Sequence, residues 1–345
     1  MKLKKAPLLA TALAAMLAVG AVTPAAASVY ASSRLLIQDL EINVTNLAQL
    51  ANPQFTFTTV SSATLNGVSD PAGGAVTCGN TAGDTACGAP PLILNSLSNV
   101  GTPERAADDF DFFGPGLVTS SYANASSLIT DAELLTGNPT IASQISETEV
   151  QRSGVGISET QLASETRLTF VFEVAEDGGD LSLSFSADPN LYVAVDTERL
   201  LDAFATTRLD ASFNLVGPDG QQVDWSPNAQ IGIGEGTAGI GDCQGVAQCE
   251  VTAAAERLNS VTRTLGTGNP SDNAFSDSRS GPDIGFGDYG LTVTGLTGGT
   301  WTLTLASSTF AQARQSVPEP ATLMLLGVGL AGLGLVGMRR RQLHR

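Results

Sequence analysis

Acid–base or metal chemistry in the middle of this sequence falls to carboxylates. Between residues 28 and 317 there is no histidine and no lysine: the single histidine is His344, and the lysines are Lys2, Lys4 and Lys5. That excludes a Ser-His-Asp triad, a histidine-ligated zinc, a phosphate-loop lysine and a Schiff-base lysine from this segment. Three groups of acids are left to weigh. Asp108, Asp109 and Asp111 sit in ADDFDFFGPG, and hard oxygen ligands so clustered suit calcium. No EF-hand loop surrounds them, so the stretch reads as a solvated turn with Phe110, Phe112 and Phe113 packing inward. Asp272, Asp277 and Asp283, with Asn273 and Asp288, form a second, weak calcium candidate among Gly and Ser. It lacks the calcium-binding nonapeptide repeat, and Asp, Asn, Ser and Gly are ordinary loop residues. Glu173, Asp196 and Asp224 lie on or beside strands, where a carboxylate pair could hydrolyse a glycoside, yet nothing sets them apart from surface acids.

Other motifs fall to simpler readings. IGIGEGTAGIG over 231–241 contains the glycine spacing of a dinucleotide loop but not the strand and helix that must flank it. Trp225 and Trp301 are able to stack on sugars, but in a chain with few aromatics they read as core. Cys78 and Cys87 enclose eight residues, and Cys243 and Cys249 enclose five. Four cysteines allow three pairings, and sequence proximity favours 78–87 with 243–249. Neither spacing is C-x-x-C, which argues against zinc. Bridges closing such short loops are expected to pin loops rather than hold domains together.

The elements that position these groups read as strands. RLLIQDLEINVTNL (34–47) and QFTFTTV (54–60) open the series, and 61–91 is loop-like. RLTFVFEV, the turn EDGGD and DLSLSFS alternate apolar and polar residues at period two, which predicts a hairpin with one buried face. The same pattern predicts hairpins over 209–225, turning at Gly217–Gly220, and over 289–305, turning at Gly298-Gly299. Residues 121–166 are rich in Ser, Ala, Thr and Glu and fit either short helices or long polar strands. Residues 249–265 are ambiguous in the same way: alanine and glutamate favour a helix there, while Val251 and Val261 do not decide it. Repeated strands with Gly, Pro and Asp turns predict a mainly β protein, an antiparallel, jelly-roll-like β-sandwich, either one large sandwich or two small ones. The body is expected to span 28–306, with 307–317 as a linker.

Charge says where such a body belongs. Of 34 acidic residues only Glu319 lies outside 28–317, which leaves 33 there against ten arginines and a formal charge of −23. So acidic a surface repels nucleic acid and anionic lipid. The chain ends carry the remaining signals. Lys2, Lys4 and Lys5, an apolar run to Val22 and the small residues Ala25–Ala27 make a secretory signal over 1–27, with cleavage expected after Ala27 or, second, after Ala31. At the other end, Ala321 to Met338 is 18 residues without charge. As a helix that run reaches about 27 Å, enough to span a hydrocarbon core. Arg339, Arg340 and Arg341 then hold the tail in the cytoplasm.

Pro318, Glu319 and Pro320, the apolar span and the basic cluster together resemble the PEP-CTERM sorting signal, over residues 318–345. The resemblance implies processing near Pro318–Pro320 by exosortase, a membrane enzyme, in a diderm bacterium that makes extracellular polysaccharide. It implies export, a transient inner-membrane anchor, and then the cell surface or extracellular matrix. The expected function is non-enzymatic: a structural or adhesive protein of exopolysaccharide or biofilm. A carbohydrate- or calcium-binding module stands second, and a carboxylate-dependent glycosidase third. No cofactor is expected, calcium being the one candidate.

Overall fold

The computed structural model describes residues 28–48, 54–80, 86–87, 93–116, 120–130, 140–151, 156–195, 202–227, 240–252, 258, 261–266 and 285–317. Sixteen strands run through them: β1 (Ser28–Val44), β2 (Gln54–Leu65), β3 (Val68–Ser69), β4 (Gly74–Gly79), β5 (Ile93–Gly101), β6 (Tyr122–Thr130), β7 (Thr140–Gln151) and β8 (Gly156–Val174) in the first half. The second half holds β9 (Gly179–Val195), β10 (Asp202–Val216), β11 (Gln222–Trp225), β12 (Ile240–Gln244), β13 (Gln248–Thr252), β14 (Val261–Gly266), β15 (Gly287–Leu296) and β16 (Gly299–Val317). A single 3₁₀ turn at Pro218–Gly220 is the only helical element among the described residues. The first sheet is ordered β13-β15-β9-β1-β7-β6-β5 and the second β12-β11-β10-β16-β8-β2-β3, with β14 on β10 and β4 on β2. All strand pairs within both sheets are antiparallel.

Two of the three expected hairpins are arches instead. β8 pairs with β16 and β2 in the second sheet, whereas β9 pairs with β1 and β15 in the first. The turn after Val174 therefore carries the chain across the core, not back along a neighbour. β15 and β16 part in the same way at Gly298, as do β1 and β2. Only β10 and β11 form the expected hairpin, Phe213 facing Trp225. Period-two alternation cannot separate the two outcomes, because inward residues meet the core from either sheet. The three arches lie side by side in one order, β15-β9-β1 above β16-β8-β2, and their turns bond to one another. The Thr45 N–H donates to the Asp180 carbonyl (2.9 Å), the Ala175 N–H to the Asn46 carbonyl (2.9 Å) and the Gly295 N–H to Asp180 Oδ1 (3.0 Å). Gly298 is required there, since a Cβ would stand 2.6 Å from Glu176 Cα in the adjacent arch.

The space between the sheets has two characters. At the arch end Phe170, Phe172, Phe185, Phe213, Trp225 and Trp301 join Leu and Val from both sheets in a large cluster. Towards the other end the cluster is Val29, Ala31, Ala123, Ala125, Ala205, Ala311 and Ala313 with a few larger residues. Where side chains are this small the sheets approach closely enough for hydroxyls to reach the opposite backbone. Ser33 Oγ donates to the Arg208 carbonyl (2.9 Å), Thr207 Oγ1 to that of Ser32 (2.9 Å), Ser61 Oγ to that of Ser96 (2.8 Å) and Ser164 Oγ to that of Ser126 (2.6 Å), every one across the sheet interface. This accounts for the Ser/Ala/Thr-rich segment 121–166. It forms the long polar strands β6, β7 and the first half of β8, because buried hydroxyls with partners cost little.

Three more expectations need correction. Residues 307–317 are not a linker: they complete β16, paired with β8 through Val317 and with β10 through Ser316. Alternate side chains there are buried, including Ala311 and Ala313, so the body extends to Val317. The 249–265 segment holds strands at both ends, β13 and β14, where alanine and glutamate had favoured a helix. Its ends are held by pairing with β15 and β10, which overrides local propensity. Lastly, Cys243 bonds to Cys249, and these residues belong to different sheets. That bridge ties one sheet edge to the other, beyond pinning its own loop. Cys78 bonds to Cys87, joining β4 to the segment ahead of β5.

Candidate functional site

Residues 102–116 leave β5 and cross the outer face of the first sheet before the chain enters β6. The strands beneath set a polar patch by register alone. Tyr30 and Tyr122 both pair with Glu149, and Ser32 and Asn124 both pair with Glu147, so these side chains share one face. Into that patch the loop inserts Arg105. The Arg105 and Glu147 side chains are both fully buried and form an ion pair through Nη2. Arg105 Nη1 donates to the carbonyls of Asp109 (2.8 Å) and Asp111 (2.7 Å), and its guanidinium lies 4.5 Å from the centre of the Phe113 ring. Glu147 Oε1 accepts from the Tyr30 hydroxyl (2.6 Å) and the Gly114 N–H (3.0 Å). The loop is fixed further by Asn99, whose Nδ2 donates to the Arg105 carbonyl (2.9 Å), and by Asn124 Nδ2 on the Pro103 carbonyl (2.8 Å). Arg34 repeats the theme nearer the solvent, with Asp188 at 2.9 Å and the Phe112 ring at 5.0 Å.

Glu147 is thereby saturated with donors, which makes it a staple rather than a general base. Burial pushes the Tyr30 hydroxyl well above its ordinary value, with the Glu147 charge adding to it. Glu149 differs. Its Oε1 accepts from the Gly116 N–H (2.9 Å) and Gln151 Nε2 (2.7 Å), both neutral donors. Burial raises its carboxyl above the usual value, opposed by the bonds from Gly116 and Ser28. The folded state thus holds this proton more tightly than the unfolded chain. Glu149's contribution to stability is intact below the unfolded value, about 4.3, and is lost as pH rises through the higher folded one. E149Q is expected to unfold at a higher urea concentration than the wild type at pH 7 and to show no such gain at pH 4. A lower midpoint at pH 7 would mean that the ionised carboxylate is the stabilising form.

Of the acids singled out by sequence, Asp108, Asp109 and Asp111 belong to this loop, and two of them hold Arg105 through their carbonyls. The Asp111 side chain is 98% exposed, and Asp109 takes the Asp111 N–H (3.0 Å) with Arg105 at 3.5 Å. Phe112 and Phe113 turn inward onto the two arginines. No group of three metal-ligating side chains is assembled among the described residues. Asp272, Asp277, Asp283, Asn273, Asp196 and 231–239 lie outside the described residues. Asp288 accepts from Ser186 Oγ (2.8 Å), and Asp224 from Gln222 Nε2 (2.7 Å). Trp225 and Trp301 are fully buried in the core, where no sugar reaches them. On the outer face of the second sheet, Glu165, Asp210, Ser212, Ala306 and Ser308 line a groove of about 250 Å³. Glu165, Ser308 and Asp210 stand in one cross-strand row, and Asp210 is engaged by Arg208 at 2.6 Å. Four residues further along β8 from Glu165, Thr56, Thr169 and Thr304 form another cross-strand row.

Sequence reasoning missed Arg105, Glu147, Glu149, Tyr30 and Tyr122. The signals were present: ISETEVQ places Glu147 and Glu149 two apart on one face, and Arg105 stands a few residues ahead of the aromatic run 110–113.

The body, then, is an antiparallel two-sheet protein in which a fully buried ion pair fastens a loop. The residues after Val317 identify its route. Residues 316–341 match the PEP-CTERM protein-sorting motif, which takes in Pro318, Glu319, Pro320, the apolar run and Arg339–Arg341. The chain carries that sorting motif and, with it, the implication of export, membrane-anchored transit and processing by exosortase. Residues 318–345 and 1–27 lie outside the described residues. No curated protein and no solved structure matches the chain.

Proposed function

We propose that this is a non-enzymatic structural or adhesive protein of the bacterial surface or extracellular matrix, delivered by exosortase processing. The observation that carries the reading is the sorting motif, joined directly to a long antiparallel body. The body is read as a jelly-roll-like sandwich whose buried ion pair is spent on fastening its own loop. Its hydroxyl-rich outer face on the second sheet, with Thr56, Thr58, Thr169, Thr304, Ser212 and Ser308, is suited to hydrogen bonding with a neutral polysaccharide. Net negative charge keeps such a body soluble and apart from anionic surfaces. β1 begins at Ser28, and Tyr30 and Ala31 are buried in it, which favours signal cleavage after Ala27 over cleavage after Ala31.

Cell fractionation tests the reading. The full chain is expected to pass through the membrane fraction and accumulate outside the inner membrane in a shortened form. A chain lacking residues 318–345 is expected to leave the cell envelope after signal cleavage alone, without passing through an anchored form. Identical distribution of the two between membrane fraction and exterior would overturn it.

A further inference from the structure

The two predicted membrane-directed ends of the body emerge from the same pole. Ser28 pairs with Gln151, Val317 pairs with Gly156, and only residues 152–155 separate those partners. The sorting motif follows β16 with no spacer, and Ala321, where the apolar run begins, stands four residues beyond Val317. Four residues reach at most about 14 Å, so the anchored body rests with this pole on the bilayer. β16 is moreover an interior strand, paired with β8 over its whole length and with β10 from Thr302 to Ser316. A processing enzyme must therefore take hold of a segment that abuts a doubly paired strand.

One residue of that strand is out of keeping with its surroundings. Gln315 is fully buried, between Ala313 and the facing Ala203, in the part of the core made of alanine and valine. Both its Nε2 and its Oε1 are buried without a hydrogen-bond partner. Thr160 Oγ1, in the same region, is satisfied and donates to the Ala313 carbonyl (3.1 Å). A buried amide with neither end paired penalises the closed strand, and opening the end lets it meet water.

We infer that Gln315 is a positioning residue for processing: it lowers the cost of peeling Gln315–Val317 out of the second sheet, and the peeled segment presents Pro318–Pro320 to the membrane enzyme. Peeling adds three residues, about 10 Å of extended chain at roughly 3.3 Å each, between the body and the motif. Enzymes that bind a substrate chain in extended form need such free length. Local opening of this kind draws on the low-stability end of a fold without unfolding the rest.

The inference rests on the sorting reading, and the test separates the two. In pulse-chase experiments on the full chain, Q315M and Q315L are expected to slow appearance of the shortened form about tenfold, the low end of the cost of an unpaired buried amide. The purified body of each variant is expected to melt above the wild type. Inserting ten Gly/Ser residues between Val317 and Pro318 is expected to restore the wild-type rate in both. Processing of Q315M and Q315L at the wild-type rate, with wild-type chain cut normally, overturns this inference and leaves the sorting reading standing. Variants that melt below the wild type overturn it as well, because the amide was then satisfied. Wild-type chain that is never cut overturns both.

Discussion

R105A is expected to be among the most destabilising single substitutions in this protein, at about 3–5 kcal/mol. The size reflects the group left unpaired. Removing the guanidinium strands the Glu147 carboxylate, fully buried beneath residues 102–116, and the charge can neither reach water nor find another cation. The carbonyls of Asp109 and Asp111 lose their donor in the same stroke, and Phe113 loses the cation on its face. Against a total stability of about 5–15 kcal/mol, this is a large share. For a body of this length, the melting point should fall by about 10 °C. The loop should also be released, so limited proteolysis of R105A should cut first within 102–116. The double variant R105M/E147Q should recover much of the loss, because it removes both charges and keeps most of the volume. Arg34 should matter far less: its partner Asp111 is almost wholly exposed and its Asp188 bridge is only partly buried, so solvent screens both. A loss below about 1 kcal/mol for R105A would mean that the pair fastens nothing.

How much of this could be read from residues alone differs from strand to strand. Strand existence was plain where one face is apolar: Leu168, Phe170, Phe172 and Val174, or Leu181, Leu183 and Phe185, alternate without exception. Partnership was not, since the same alternation serves a hairpin and an arch. What decides is the long-range pairing of β8 with β16, whose sequence separation exceeds a hundred residues over its whole length. The polar strands β6 and β7 were ambiguous because their inward residues are mostly Ser, Ala, Thr and Gln, with only Ile129 and Val150 larger and apolar, so they carry no hydrophobic period. Their burial depends on partners in the opposite sheet, such as Thr309 for Ser146. The end of β16 read as a tether for a related reason: ASSTFAQARQSV looks polar, yet Ala311, Ala313 and Gln315 are all buried. At the patch under residues 102–116, Arg105 and Glu147 are 42 residues apart, and nothing local announces that they meet. The sorting motif lay at the opposite extreme. It is contiguous, ordered and written in hydrophobicity and charge, so it was legible in full.

The aromatic half of the core carries the second large effect. Phe185 projects from β9 in the first sheet and stacks on Phe213 of β10 in the second, ring centres 5.3 Å apart. It also stacks on Tyr289 of the neighbouring β15 at 5.2 Å and meets Trp225 at 6.1 Å. Phe213 and Trp225 stack in turn at 4.7 Å, so one ring of the first sheet closes a four-ring cluster across both. F185A is expected to cost about 3–5 kcal/mol, the transfer of a large apolar side chain plus the cavity it leaves. Collapse cannot fill that cavity easily, because β9 is paired on both flanks, with β1 and β15, and β10 is paired along its length with β16 and, at Phe213, with β11. F185L, which keeps most of the volume, should cost less than half as much, and urea unfolding midpoints of the two variants measure the difference. The same deletion in the small-residue half has no aromatic counterpart, since there the sheets are held by hydroxyls reaching opposite carbonyls and the cluster's largest side chains are leucines such as Leu162. Equal small losses for F185A and for S33A would show that the two halves contribute alike, and that the aromatic cluster is not what holds the arches closed at their end of the body.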